Sequence, residues 1–445
     1  LLIKKDALLR TANHALRYDY ARFYILGSTM SNACGVDFGT SNSTVGWSRP
    51  GQSPLLQLED DKVTLPSVVF YNAEDELFSF GRAALAGYLT GYEGRLMRSL
   101  KSLLGSALID GQTEVGGRAL PFRTLLEQFI KELKTRSERS AGQEFDSVVL
   151  GRPVFFVDDN RAADQRAQAT LEEVARAAGF KHIAFQYEPI AAAFDYESTI
   201  DREELVLIAD IGGGTSDFSL VRLSPARAKK QDRRDDILAT GGVHIGGTDF
   251  DKYLSLSSVM PMLGLGSRLL NNSEVPSSYY FNLATWHTIN LIYTRRMAEQ
   301  LKDVAREVRE RDKFDRLLDL VDQRAGHWLA MKVEEGKIAL SDAETVELTL
   351  DKLSSNEPIV LTRGAFNNSI SHLVSSIEET VTKLLRAAGV KADAIDTVFF
   401  TGGSSGVGLL RQQIAAVVPT AKAVEGDLFG SIGAGLALDA VRKFS

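Results

Sequence analysis

The chain has 445 residues, of which 24% are charged and 44% hydrophobic, and a formal net charge of −7. Those proportions are ordinary for a globular protein with room for one large core or a few domains, and the negative balance argues against a nucleic-acid partner. The single cysteine, Cys34, excludes an intrachain disulfide and points to a reducing, cytoplasmic setting, and no apolar run approaches the roughly 18 residues of a membrane helix.

Residues 1–33 are basic, with Arg10, Arg17 and Arg22, and lack the apolar core and cleavage site of a secretory signal. They read as an extension outside the fold. The apolar run from Cys34 reads as a strand that ends at Asp37. Gly39, Thr40, Ser41 and Asn42 then turn the chain into a second strand towards Trp47. Asp146–Gly151 reads as a strand. Arg161–Ala178 reads as an amphipathic helix, with Leu171, Val174 and Ala178 on one face. Leu205–Ala209 is a further buried strand, closed by Asp210. Gly212, Gly213 and Gly214 turn it into a strand carrying Phe218, Leu220 and Leu223.

Further on, Met297, Leu301, Val304 and Val308 form a helical stripe. Leu317, Leu318, Val321 and Trp328 suggest a second helix. Thr397–Thr401 reads as a strand, followed by Gly402-Gly403-Ser404 and a helix over Val407–Val418. Strands alternating with helices make this an α/β protein.

Consecutive glycines let backbone N–H groups approach an anion with no side chain between. Asp210 and Asp217 beside such a turn would repel a bare phosphate, so a cation is implied between them and it. The combination points to a magnesium–nucleotide site. The alternative at that one place is a Gly-rich hairpin turn, but Asp37-Phe38-Gly39-Thr40 repeats the arrangement. Other phosphate and hydrolase signatures fit less well. Gly336-Lys337 is followed by Ile338, so no P-loop is formed. Gly402-Gly403-Ser404-Ser405-Gly406 matches a nucleophile elbow, yet the last histidine, His372, precedes Ser404, and the elbow's triad needs it after. The histidines lack metal-ligand spacing.

The two hairpins and the Thr397–Gly406 segment resemble the phosphate and adenosine loops of the actin, sugar kinase and Hsp70 superfamily. Pro66-Ser67-Val68-Val69, Leu100-Lys101-Ser102-Leu103-Leu104-Gly105, Arg152-Pro153, Glu188-Pro189-Ile190-Ala191-Ala192-Ala193, Val243–Asp251 and Gly336–Ser341 follow in the order of the Hsp70 ATPase domain. The likeness is greatest to short Hsp70-like proteins of the YegD type. It implies an actin-like ATPase fold, with two α/β lobes around a nucleotide cleft and an outer subdomain on each. Lobe I would be residues 34–203, its outer subdomain about 67–145. Lobe II would be 204–445, its outer subdomain about 243–360.

The resemblance also implies roles. ATP or ADP, Mg²⁺ and K⁺ would be the cofactors. Asp37 and Asp210 would hold the Mg²⁺ shell, and Asp217 would serve the monovalent cation. Gly39, Thr40, Ser41, Asn42, Gly212, Gly213, Gly214 and Thr215 would wrap the phosphates. Lys101 would reach the γ-phosphate, and Glu188 with Asp210 would orient the attacking water. Gly246, Gly247, Glu334, Lys337, Ser341, Gly402, Gly403, Ser404 and Asp427 would complete the nucleotide contacts. The implied function is a slow ATPase and chaperone.

The sequence departs from that pattern in several places. Gly406 stands where an arginine covers the adenine face. Thr248 replaces an acidic residue, and Phe155 a tyrosine beside the switch proline. Gly247–Ser341 is about twice its usual length, which implies either a self-packed helical subdomain or a docking surface for a co-chaperone or client. The apolar linker and peptide-binding β-sandwich of a full Hsp70 are not expected before Ser445. A sugar-kinase-like phosphotransferase and a non-hydrolysing nucleotide sensor are the alternatives.

Overall fold

The computed structural model describes residues 32–444, apart from 91, 116, 158–159, 231–232, 354–357 and 428–429. The expected extension over 1–33 falls almost wholly outside the described residues.

Strand β1 (Ala33–Phe38) is buried at every position, Asp37 included, so its apolar run ends in a buried carboxylate. It turns into antiparallel β2 (Asn42–Gly46), which pairs with β3 (Thr64–Pro66). The chain then leaves the sheet through β4 (Val68–Asn72), β5 (Leu77–Phe80), helix α1 (Gly81–Leu89) and β6 (Gly94–Arg98). These elements form a small outer sheet in the order β5-β4-β6 with α1 against β4. The hairpin β7 (Gln112–Val115) and β8 (Arg118–Pro121) leads into α2 (Phe122–Ala141), whose apolar face buries Leu125, Leu126, Phe129, Ile130 and Leu133. Strand β9 (Ser147–Arg152) returns parallel to β1. The Asn160 side chain accepts from the Ala163 N–H and caps α3 (Arg161–Ala177). Strand β10 (His182–Tyr187) then pairs with β9, and α4 (Glu188–Glu197) follows at once.

The second half repeats this plan. Strand β11 (Glu204–Ile211) hairpins into β12 (Ser216–Leu223), which pairs with β13 (Ile237–Val243). Helices α5 (Gly247–Leu254), α6 (Ser278–Ala284), α7 (Arg295–Glu307), α8 (Arg311–Asp322) and α9 (Gly326–Ala339) build a helical outer region. It is closed by the hairpin β14 (Thr345–Leu348) and β15 (Ile359–Thr362). Helix α10 (Arg363–Ala388), β16 (Thr397–Thr401), α11 (Gly408–Val417), β17 (Lys422–Glu425) and α12 (Ser431–Phe444) complete the chain. The strand orders β10-β9-β1-β2-β3 and β17-β16-β11-β12-β13 match position for position.

Two expectations are corrected. The second helix of the enlarged region does not run from Leu317 to Trp328. It breaks at Arg324, which takes a left-handed φ of 50°, and Trp328 lies on the next helix. The cut at 203/204 is not kept by the closing helix. Helix α12 packs on β1, β9 and β2 of the first sheet, while α4 packs on β11 and β12 of the second. The two helices lie against one another and share a core of Ile190, Leu436 and Ala440 with Val149, Val206 and Phe399. Ala191 carbonyl oxygen lies where a Cβ on Gly435 would sit, at 1.8 Å, so this crossing needs glycine. The crossed helices fix the two sheets around one cleft.

The apolar stripe of the enlarged region packs inward. Leu301, Ala305, Phe314, Leu317, Leu320 and Val321 are all buried in the core of the second half. No helix among the described residues is long and apolar enough to cross a membrane.

Candidate functional site

The two hairpins meet face to face. In the first, Asp37 pairs across β1–β2 with Thr44, and Ser67 braces the turn by donating its hydroxyl to the Gly39 carbonyl at 2.6 Å. In the second, Asp210 pairs across β11–β12 with Asp217. Cross-strand partners point to one face of a sheet, so both carboxylates emerge on the same side. A Cβ on Gly213 would lie 2.3 Å from Ser41 Oγ, and one on Gly214 would lie 3.4 Å from Thr40. The hairpin tips therefore touch, and a side chain at Gly213 would have to displace the Ser41 hydroxyl.

Three further elements close the site. Lys101 lies in the single-turn segment Leu100–Leu103 after β6 and donates its ammonium to Glu188 Oε1 at 2.5 Å. Glu188 opens α4. Asp217 accepts from the Thr215 hydroxyl at 2.8 Å and from the Val154 N–H at 3.3 Å, tying the second hairpin to the segment after Arg152-Pro153. Gly402 has a left-handed φ of 81°, and a Cβ there would meet Asp210 Oδ1 at 2.4 Å.

Burial and charge act together on these groups. Asp37 is pushed up to about 7 by burial and then by the Glu188 charge, with Lys101 opposing. Asp217 is likewise pushed up to about 7 by burial and Glu188, against its Thr215 hydrogen bond. Asp210 is raised well above the usual carboxylate range by burial and by the charges of Glu188, Asp217 and Asp37. Burial disfavours the Lys101 ammonium, yet Glu188 and Asp37 outweigh it and hold its pKa above the ordinary value. Four buried carboxylates thus face one ammonium. That excess of negative charge beside a cradle of bare backbone fits a divalent cation carrying a phosphate chain. The described carboxylates form no cluster able to hold a metal alone. The fit is to Mg²⁺, which keeps waters and takes one or two carboxylates.

The remaining predicted residues line the other wall. Gly246 caps α5 and Gly247 is its first residue. The Gly247 N–H donates to the Gly212 carbonyl at 3.0 Å, and the Asp249 carboxylate accepts from the Gly246 N–H at 3.0 Å. Thr248 donates to the Gly213 carbonyl through both its N–H, at 2.7 Å, and its hydroxyl, at 2.9 Å. Lys337 pairs with Asp251 at 2.8 Å and donates to the Gly247 carbonyl at 3.2 Å. A Cβ on Gly247 would lie 2.3 Å from Ser404 Oγ. Lys337 and Ser404 thus reach the second hairpin through Gly247. A Cβ on Gly406 would meet only Ser341 Oγ, at 3.9 Å, so that corner is open among the described residues. The Asp427 carboxylate lies beside Gly430, ahead of α12. Glu334 accepts a two-pronged bond from Arg98 at 2.7 and 2.8 Å. The site spans β1, β2, α4, β11, β12, α5, α9 and the turn after β16.

The family model for Hsp70 protein matches residues 33–259 and 301–440. The chain belongs to the Hsp70 family. Its two-lobed architecture is therefore the actin-like ATPase fold. Chaperone protein HscA of Citrobacter koseri is 27% identical over 430 residues, 92% of this chain. HscA of Klebsiella pneumoniae strain 342 is 28% identical over 412 residues, 86% of this chain, and an HscA homolog of Shewanella sp. strain MR-4 is 27% identical over 433 residues, 92% of this chain. The chain spans 58%, 53% and 58% of those three relatives. The Hsp70 match leaves out residues 260–300, which carry α6, the 3-10 segments Met260–Leu263 and Trp286–Tyr293, and the start of α7.

Sequence reasoning missed Thr248 as a tie to the Gly213 carbonyl, because it was weighed only as a lost carboxylate. It also missed Arg98, although Arg98 stands three residues before Lys101.

Proposed function

We propose that this Hsp70-family chain binds ATP with Mg²⁺ between its lobes and hydrolyses it slowly, as the nucleotide-driven part of a chaperone. The observation that carries this reading is Lys101 paired with Glu188 between the two touching Asp-Gly-Thr hairpins. The chaperone part rests on the family and on the printed names of the HscA relatives.

Phosphoryl transfer to water needs positioning and charge stabilisation more than covalent help. The backbone N–H groups around Thr40–Ser41 and Gly213–Thr215 would hold the β- and γ-phosphates. Asp37 and Asp210 would hold Mg²⁺ through its waters, and the bound ion would offset charge on the phosphate oxygens. Glu188 would orient the attacking water together with Asp210. Lys101 would exchange part of its bond to Glu188 for the γ-phosphate, where negative charge grows. Glu334, Lys337 and Ser341 would face the nucleoside. Asp217 keeps a spare lone pair on each oxygen, which a monovalent cation could share.

Titration calorimetry with ATP tests the binding step. A Mg²⁺-dependent isotherm with one site is expected. No heat with ATP and Mg²⁺ together would overturn the reading.

A further inference from the structure

One buried side chain organises the stretch between β9 and α3. Arg152 closes β9 and is 8% exposed. Its Nε donates to the Pro153 carbonyl at 3.1 Å, and its Nη2 donates to the Val154 carbonyl at 3.3 Å. Nη2 also meets both oxygens of Asp164 at 2.8 Å, and Nη1 donates to Gln168. Asp164 Oδ1 accepts from the Phe156 N–H at 2.8 Å. Residues 152–156 thus wrap around the guanidinium, and α3 holds it from the other side. Its central carbon lies 5.1 Å from the Phe156 ring centroid. It lies 5.2 Å from that of Tyr187, the partner of Arg152 across β9–β10.

Both ends of this arrangement lead to the site. The Val154 N–H donates to Asp217 Oδ1 at 3.3 Å. Tyr187 directly precedes Glu188, and a Cβ on Gly151 would lie 3.1 Å from Glu188 Cγ. The backbone that carries Arg152 therefore touches Glu188 on one side and holds Asp217 on the other. A buried ion pair is a costly way to fill space, and an aliphatic side chain would fill it with less desolvation. What a guanidinium adds is direction. Its planar fork sets several donors at fixed angles, and its flat face stacks on rings, which an ammonium does not reproduce.

We propose that Arg152 is a positioning residue for the hydrolytic step: it aims the Val154 N–H at Asp217 and steadies Tyr187, and so sets Glu188 and Asp217 in working register. The effect on rate rests on the nucleotide reading above; the ordering of residues 153–156 by the guanidinium does not. Arg152 acts only through these neighbours, so its loss should slow the chemistry and leave ATP affinity alone.

The test uses the full chain, with single-turnover hydrolysis, ATP affinity, and deuterium exchange over residues 153–156 without nucleotide. Arg152→Ala should hydrolyse Mg²⁺–ATP roughly 10²-fold more slowly at little-changed affinity, the scale of a misplaced catalytic group. Millimolar guanidinium ion should restore much of that rate, and ammonium should not. Arg152→Lys should stay slow. Exchange over 153–156 should quicken in both variants. A full rate in Arg152→Ala would overturn the proposal. So would a slow rate that follows weakened ATP binding and that guanidinium does not restore, because that pattern marks a general loss of structure. If Arg152→Ala does not fold, Asp164→Asn takes its place, since it keeps the guanidinium and loosens its hold. Slower hydrolysis at unchanged affinity is then expected, and a full rate overturns the role. If the unsubstituted protein does not hydrolyse ATP, the nucleotide reading falls and exchange alone decides. Equal exchange with and without the guanidinium would then show that Arg152 positions nothing.

Discussion

The Lys101 ammonium and the Glu188 carboxylate meet at 2.5 Å, although 87 residues separate them. Both are nearly sealed from solvent, with side chains 10% and 7% exposed. A buried ion pair is a weak device for stability, because its desolvation cost offsets much of the attraction. A pair beside Asp37, Asp210 and Asp217 is better explained by chemistry. In the proposed mechanism it keeps a cation ready where phosphate charge would be handled.

The crowding of carboxylates should cost the nucleotide-free protein stability. Asp37→Asn removes one of them while keeping the shape. At pH 8 the variant should melt a few degrees higher than the unsubstituted protein, a gain typical when a functional site is relieved of strain. It should also lose Mg²⁺-dependent ATP binding. Differential scanning calorimetry with and without Mg²⁺–ATP measures both. An unchanged melting temperature with intact binding would remove Asp37 from the proposed site.

Among the described residues only Ser341 Oγ comes near the place of a side chain at Gly406, the corner where the proposed ATP site would put the adenine. A guanidinium over an aromatic face contributes about 0.5–2 kcal/mol. ATP should therefore be poorly discriminated from GTP, and Gly406→Arg should tighten ATP binding by up to about tenfold, or 1.4 kcal/mol. Competition binding of the two nucleotides in both proteins gives the answer. Strong adenine preference before substitution, with no gain after it, would mean that something else covers the ring.

His327 Nδ1 hydrogen-bonds the Tyr88 hydroxyl of α1 at 2.9 Å and gives that contact a pH signature. Burial lowers its pKa to about 4, helped by Arg95 and Arg98 and opposed by a hydrogen bond to the Trp286 backbone. The imidazole is neutral in both states above its ordinary value near 6.5. Between about 6.5 and 4 the unfolded chain takes up a proton that the folded chain does not, so stability falls as pH falls, by at most about 1.4 kcal/mol per pH unit. From pH 6.5 to 5.0 the melting temperature should drop more in the unsubstituted protein than in His327→Gln. Equal drops would show that His327 titrates freely.

Much of the geometry of the candidate site was legible because each Asp-Gly-hydroxyl hairpin is local. Asp, glycine and hydroxyl residues within a few positions dictate a turn whatever surrounds it, and Asp210 and Asp217 share a face through strand pairing alone. The order of further segments from Lys101 to Ser404 pointed to the family that the Hsp70 match establishes. The rest depends on long-range packing. An apolar helix such as Ser431–Phe444 looks the same whichever sheet it covers, so its crossing to the first sheet left no local trace. Glycines on the contact faces are the hint: Gly433 and Gly435 on the helix, Gly35 and Gly46 on the sheet. The Arg98 contacts with Glu334 and Trp286 join positions far apart, one of them in the stretch outside the family pattern. Leu317 and Trp328 fit one helical stripe, and nothing in the pattern announced the left-handed turn at Arg324.

Single-turnover hydrolysis of ATP by the unsubstituted protein and by Lys101→Ala tests the central claim most directly. The lysine acts on charge that grows in the transition state, so its loss should appear in the chemical step rather than in binding. Preformed complexes with Mg²⁺–ATP should convert to ADP and phosphate slowly in the unsubstituted protein and about 10²–10³-fold more slowly in the variant, with ATP affinity little changed. Equal rates in the two proteins, or no conversion in either, would contradict the account.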